Sequence, residues 1–128
     1  MHYLLLIHGA ENPVEGLSPE QITEIIAGVE RFDREITGAG QNLGSIRLQP
    51  AGAASVVRLR QGEAITTDGP FMEAKEQLGG IYIIEAEDQA EAVRIAQKLP
   101  MAGHGTIEVR PVLGIDLRGE ALVMYDGE

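Results

Sequence analysis

The stretch "TTDGPFMEAKEQLGG", residues 66–80, concentrates side chains that chemistry could use. Asp68 opens a Gly69-Pro70 turn, and Glu73, Lys75 and Glu76 follow within eight residues. A carboxylate at the mouth of a cleft can move a proton or orient a ligand. Three carboxylates around one amine can hold a cationic group or tune one another's ionisation. The same residues also have purely structural uses. Gly69 permits unusual dihedrals, Pro70 fixes φ, Asp68 can accept hydrogen bonds from nearby amides, and Phe71 can anchor the turn in a core. Glu73, Lys75 and Glu76 equally suit a solvated strip.

Three histidines, His2, His8 and His104, fall at a strand start, a strand end and a loop. None has the i, i+4 spacing of a helical metal pair, and neither H-x-H nor H-E-x-x-H occurs, so no metal site is expected. His8, at the end of a strand, is the best candidate base beside Asp68, with His104 as the alternative. Arg47 in "SIRLQP" and Arg110 in "EVRPV" each suit either a structural ion pair or an anionic ligand group. The chain has no G-x-S-x-G elbow, G-x-G-x-x-G or P-loop, which leaves nucleotide use without support.

The elements that would position these residues follow from periodicity. "YLLLI", residues 3–7, is a short apolar run bounded by "GAENP" and predicts a strand buried on both faces. Ile22, Ile25, Ile26, Val29, Phe32 and Ile36 recur at helical spacing. Ser18 is the natural N-cap, Pro19 suits the first turn, Gln21 completes a capping box, and Gly38 and Gly40 can end the helix. "SVVRLRQGEAITT" alternates around Gln61-Gly62 as a hairpin does. "GGIYIIEAE" predicts a central strand, and "GTIEVRPVLGI" a last one. Between them "DQAEAVRIAQKLP" predicts a helix with Asp88 as cap, Glu91 closing the box, Ala92, Ile95, Ala96 and Leu99 as the apolar stripe, and Pro100 beyond its end.

The order is β-α-β-hairpin-β-α-β, the split βαβ arrangement of a ferredoxin-like α+β domain. Two helices cover one face of such a sheet, yet its central strands are apolar on both faces. A second subunit packed sheet to sheet is the simplest cover, and the tail folding back is the alternative. That tail, residues 116–128, has an apolar run from Ala121 to Tyr125 and is expected as an exchanged or frayed strand.

"TDGPFMEAKEQLGGIYIIEAED", with "IRLQP" before it and "IEVRPV" after it, resembles the DGPF group of YCII-related proteins over residues 1–115. The resemblance implies a dimeric α/β barrel and leaves the reaction open. The wider family is associated with a His-Asp pair, its histidine in the first helix and its aspartate near that helix's end. Residues 19–40 here contain no histidine, so that pair does not carry over, and Asp68 with His8 or His104 would have to replace it.

The 128 residues make one domain, and the absence of cysteine excludes a disulfide framework, a thiolate nucleophile and a cysteine zinc site. A net charge of −10, with bases scattered singly, argues against nucleic acid and anionic membranes as partners. No apolar run reaches the roughly 18 residues of a membrane span. The first residues lack a secretory pattern, so a cytoplasmic location is the expectation. Two functional readings follow. One is a cofactor-independent acid/base enzyme, or a small-molecule binder, in which Asp68 with His8 or His104 works in a cleft and Glu73, Lys75, Glu76, Arg47 and Arg110 bind the ligand. The other is a non-catalytic accessory linked to an extracytoplasmic-function sigma factor, a gene association that the DGPF resemblance brings with it.

Overall fold

A computed structural model describes residues 1–119 and the short strand at 123–124. The chain is an α+β domain in which β1 (His2–Gly9), β2 (Asn42–Arg47), β5 (Gln77–Glu85) and β6 (Thr106–Pro111) form a four-stranded sheet in the order β2-β5-β1-β6. All neighbouring strands are antiparallel. The helices α1 (Pro19–Gly38) and α2 (Gln89–Gln97) lie on one face. This order, with one helix in each crossover, is compatible with the ferredoxin-like arrangement.

The helix ends form where local chemistry demands. Ser18 accepts from the Gln21 amide while the Gln21 side chain accepts from the Ser18 amide, the full capping box. Asp88 accepts from the Glu91 amide at 2.8 Å, but the Glu91 carboxylate bonds the Glu87 amide instead of closing on Asp88. Glu91 therefore satisfies the residue ahead of the cap, a departure from the expected box.

The core is the interface between these helices and one sheet face. Tyr3 and Leu5 of β1, Tyr82 and Ile84 of β5, Phe32 and Ile36 of α1, and the α2 stripe of Ala92, Ile95 and Ala96 continuing to Leu99 are all buried. Each β residue is two positions from the next, as one face of a strand requires. Ile26 departs from the expected α1 stripe and is exposed, while Ile22, Ile25 and Val29 on the neighbouring turns are half-buried, since a residue one step from Ile25 turns about 100° off the stripe. Two close approaches hold the ends of the layers together. A Cβ at Gly28 would lie 2.6 Å from the Pro100 ring, in the 3₁₀ turn Pro100–Gly103, and one at Gly105 would overlap the His8 carbonyl oxygen.

The opposite face carries Leu4, Leu6, Ile81 and Ile83, half-buried by one another, with Ile46 beside them at 56% exposure. The strands β3 (Ser55–Arg60) and β4 (Glu63–Asp68) pair in a separate hairpin, turned by Gln61 and Gly62 with φ of 54° and 81°. Both positive dihedrals fit the two-residue turn expected there. The hairpin stands away from the sheet, leaving Val57 and Leu59 exposed.

The segment after the hairpin departs from expectation. Phe71 is 68% exposed instead of anchoring the core, and its ring lies under the Arg58 guanidinium, 5.2 Å from the centroid. In the tail, β7 (Gly114–Ile115) pairs with β8 (Val123–Met124). The remainder of the Ala121–Tyr125 run expected to exchange or fray lies outside the described residues.

Gly105→Ala should lower stability by about 1–3 kcal/mol, the usual cost of overpacking, because the obstructing atom is backbone. Gly38→Ala, whose Cβ would enter open space at the helix end, is the matched control. Urea unfolding should show a fall in midpoint for Gly105→Ala alone, and equal midpoints would refute the close-packing account.

Candidate functional site

At one end of the layers, where β2 and β5 extend beyond the helix-packed core, a cavity of about 390 Å³ opens. Its size falls within the range of small-molecule pockets. The wall is mainly apolar, with Ile7, Val29, Leu78, Leu99 and Met101 contributing. Polar groups enter from Asp33, Tyr82, Arg47, His8, His104 and Glu11.

Asp33 and Tyr82 form the best-defined polar pair. Val29, Phe32, Asp33 and Ile36 share one face of α1 by their i, i+3, i+4, i+7 spacing. Tyr82 rises from the same sheet face as Ile84. Phe32 meets the Tyr82 ring edge-on, with centroids 5.3 Å apart and an interplanar angle of 79°. That packing restrains the phenol so that its hydroxyl donates to Asp33 Oδ1. Among the described residues the carboxylate has no other hydrogen-bond partner.

Burial pushes the Tyr82 phenol far above its ordinary value, and the hydrogen bond and negative charge of Asp33 push it the same way. The Arg47 guanidinium acts in the opposite direction. Tyr82 therefore stays a hydrogen-bond donor through the physiological range and holds the carboxylate in one orientation. A carboxylate so placed beside an apolar cavity can accept a proton from a bound molecule.

A protein-family model of the YCII-related domain matches residues 1–116. The chain belongs to the YCII-related family. It is also 36% identical over 115 residues to an uncharacterised protein of Rhizobium meliloti (strain 1021), a match spanning 88% of this chain and 92% of that protein. The histidine that the wider YCII-related family is associated with in its first helix has no counterpart in α1. This YCII-related chain does bring an acid, Asp33, from that helix to the cavity.

The residues singled out by sequence separate into two groups. Arg47, His8 and His104 line the cavity; Asp68, Glu73, Lys75, Glu76 and Arg110 do not. Asp68 sits exposed at the end of β4, across from Ser55. Its carboxylate accepts no hydrogen bond among the described residues, and the Gly69 amide donates to the Ala54 carbonyl at 2.7 Å, extending the pairing of β3 with β4. Glu73 and Lys75 are exposed, and Glu76 accepts from the Thr106 hydroxyl at 2.7 Å. Arg110 is bound to Glu108, with Nε 2.9 Å from the carboxylate.

His8 borders the cavity, but its Nε2 lies 3.5 Å from that same Glu108. Glu108 is held below the usual carboxylate range, chiefly by its hydrogen bond with Arg110 and further by His8. Among the described residues no group of three His, Asp or Glu side chains is arranged to hold a metal, and no helix is long and apolar enough to cross a membrane.

Neither Asp33 nor Tyr82 belongs to a sequence motif. A signal for Asp33 exists in its position beside Phe32 on the apolar stripe of α1. Tyr82 offers a hydroxyl in the middle of an otherwise aliphatic strand, "GGIYIIE".

Tyr82→Phe should cost about 1–2 kcal/mol, because a hydrogen bond to a charged acceptor is lost and Asp33 can be partly re-solvated. The raised folded value makes the Tyr82 contribution fully present below the ordinary phenol value of about 10 and progressively lost as pH rises above it. The stability advantage of the native chain over Tyr82→Phe should therefore be constant near neutrality and shrink at strongly alkaline pH in denaturant titrations. An advantage that grows above pH 10 would contradict the pairing.

Proposed function

We propose that the cavity binds a small, mostly apolar molecule and that Asp33, oriented by Tyr82, exchanges a proton with it without a cofactor. The observation that carries this reading is the convergence of a restrained carboxylate and an apolar cavity of ligand size at the same wall. In the forward step the Asp33 carboxylate takes a proton from an acidic O–H or C–H of the bound molecule. The resulting carboxylic acid returns the proton to another atom of it, leaving the protein unchanged. Asp33 replaces Asp68 as the proposed acid/base, while His104 is retained as a second titratable group on the wall.

The motif Asp68-Gly69-Pro70-Phe71 supports placing the chain in the DGPF group of its family, and the strand order supports a ferredoxin-like domain. The apolar row of Leu4, Leu6, Ile81 and Ile83 supports a symmetric dimer through the sheets.

A thermal-shift screen against small metabolites should yield stabilising compounds, because a molecule that binds the folded chain raises its apparent stability by mass action. Val29→Phe, which narrows the cavity, should abolish those shifts. Equal shifts in both proteins would place binding elsewhere. In deuterated water a bound compound should gain deuterium at least about 100-fold more slowly with Asp33→Asn than with the native chain. Unchanged exchange would remove Asp33 from the chemistry.

A further inference from the structure

The Asp33–Tyr82 pair accounts for one side of the cavity; the other polar side is made by Arg47. This residue closes β2, where it stands opposite Gly80, while Ser45 stands opposite Tyr82. Positions 45 and 47 share a sheet face, so the Arg47 side chain leaves β2 on the face that carries Tyr82. Gly80 presents no side chain beside it, and its backbone lines the cavity, close enough to β2 that a Cβ there would lie 3.1 Å from the Ile46 carbonyl oxygen.

The charges on the wall are unequally satisfied. Asp33 receives the Tyr82 hydroxyl, and Glu11 receives the Gly52 amide at 3.2 Å. His8 lies against Glu108. Arg47 has no ion pair and no side-chain hydrogen bond among the described residues, although its field reaches Tyr82. A planar guanidinium beside an apolar cavity matches a carboxylate in two-point geometry.

The chain's charge of −10 and the two wall acids oppose a second negative charge on the ligand. Salt screens that long-range repulsion over about 8–10 Å, whereas a direct contact with Arg47 lies well inside that distance.

We propose that the cavity selects small apolar monocarboxylates, the carboxylate held by Arg47 and the apolar body against Val29, Leu99 and Met101. The atom that exchanges a proton then lies toward Asp33, because the carboxylate is repelled from that side. This ligand class rests on the reading of the cavity as a binding site and adds its charge preference and orientation.

The test uses three aromatic probes of matched size on the full chain: benzoate, neutral benzamide and cationic benzylammonium. Binding is followed by shifts of backbone amide signals in NMR titrations, with Gly80 and Tyr82 as reporters. Benzoate should bind the native chain about tenfold tighter than benzamide, with benzylammonium weakest, and Arg47→Gln should erase the preference for benzoate. Arg47→Lys should retain part of it, since the charge remains and the two-point geometry is lost. Arg47 is exposed, and its replacements should leave the fold intact, which the unperturbed remainder of the amide spectrum verifies.

If benzamide matches benzoate at the same reporters, the cavity reading stands and the monocarboxylate inference falls. The inference also falls if the benzoate preference persists in Arg47→Gln. If no probe moves the reporters at tens of millimolar, both readings fall.

Discussion

Phe32 of α1 packs edge-on against Tyr82 of β5, and that contact sets where the helix sits above the sheet. A tyrosine carried into an apolar layer must find a partner for its hydroxyl or pay for leaving it unbonded. The helix supplies one from the next residue along, Asp33. One aromatic contact thus positions a helix, orients a carboxylate and keeps a phenol protonated. The cavity begins where this packing stops, with Val29 one helical turn before Asp33 on the same wall.

The local parts of the fold were legible because their causes are local. Ser18, Pro19 and Gln21 start α1 by satisfying its own first amides, and Gln61-Gly62 turns the hairpin by adopting positive φ. The apolar runs of β1 and β5 announce burial on two faces, and their register places Tyr3, Leu5, Tyr82 and Ile84 together. Even here Glu91 shows the limit: its amide donates to Asp88 as expected, but its carboxylate accepts from the Glu87 amide in place of that of Asp88.

The candidate site was less legible. The Asp68-Gly69-Pro70-Phe71 motif marks the family, yet its carboxylate neither borders the cavity nor accepts a hydrogen bond among the described residues, and the residue two positions on, Pro70, has no amide hydrogen to offer it. Phe71 finds Arg58 on the hairpin in place of a core. Both outcomes depend on where β3 and β4 stand relative to the sheet, which no periodicity within residues 66–80 encodes. Asp33 is hard to read from sequence for the converse reason: an acid on a helix ordinarily marks the wet face.

The sequence by itself determined the YCII-related signature, the alternation of strands and helices, the helix caps, the hairpin turn and the absence of cysteine chemistry. These depend on residues close in the chain or on composition. Tertiary structure alone decided that Asp33, Tyr82 and Arg47, from α1, β5 and β2, meet at one cavity while Asp68 stands outside it. Side chains so far apart in sequence are brought together by strand register and by the packing of Phe32 on Tyr82, and those are properties of the assembled layers.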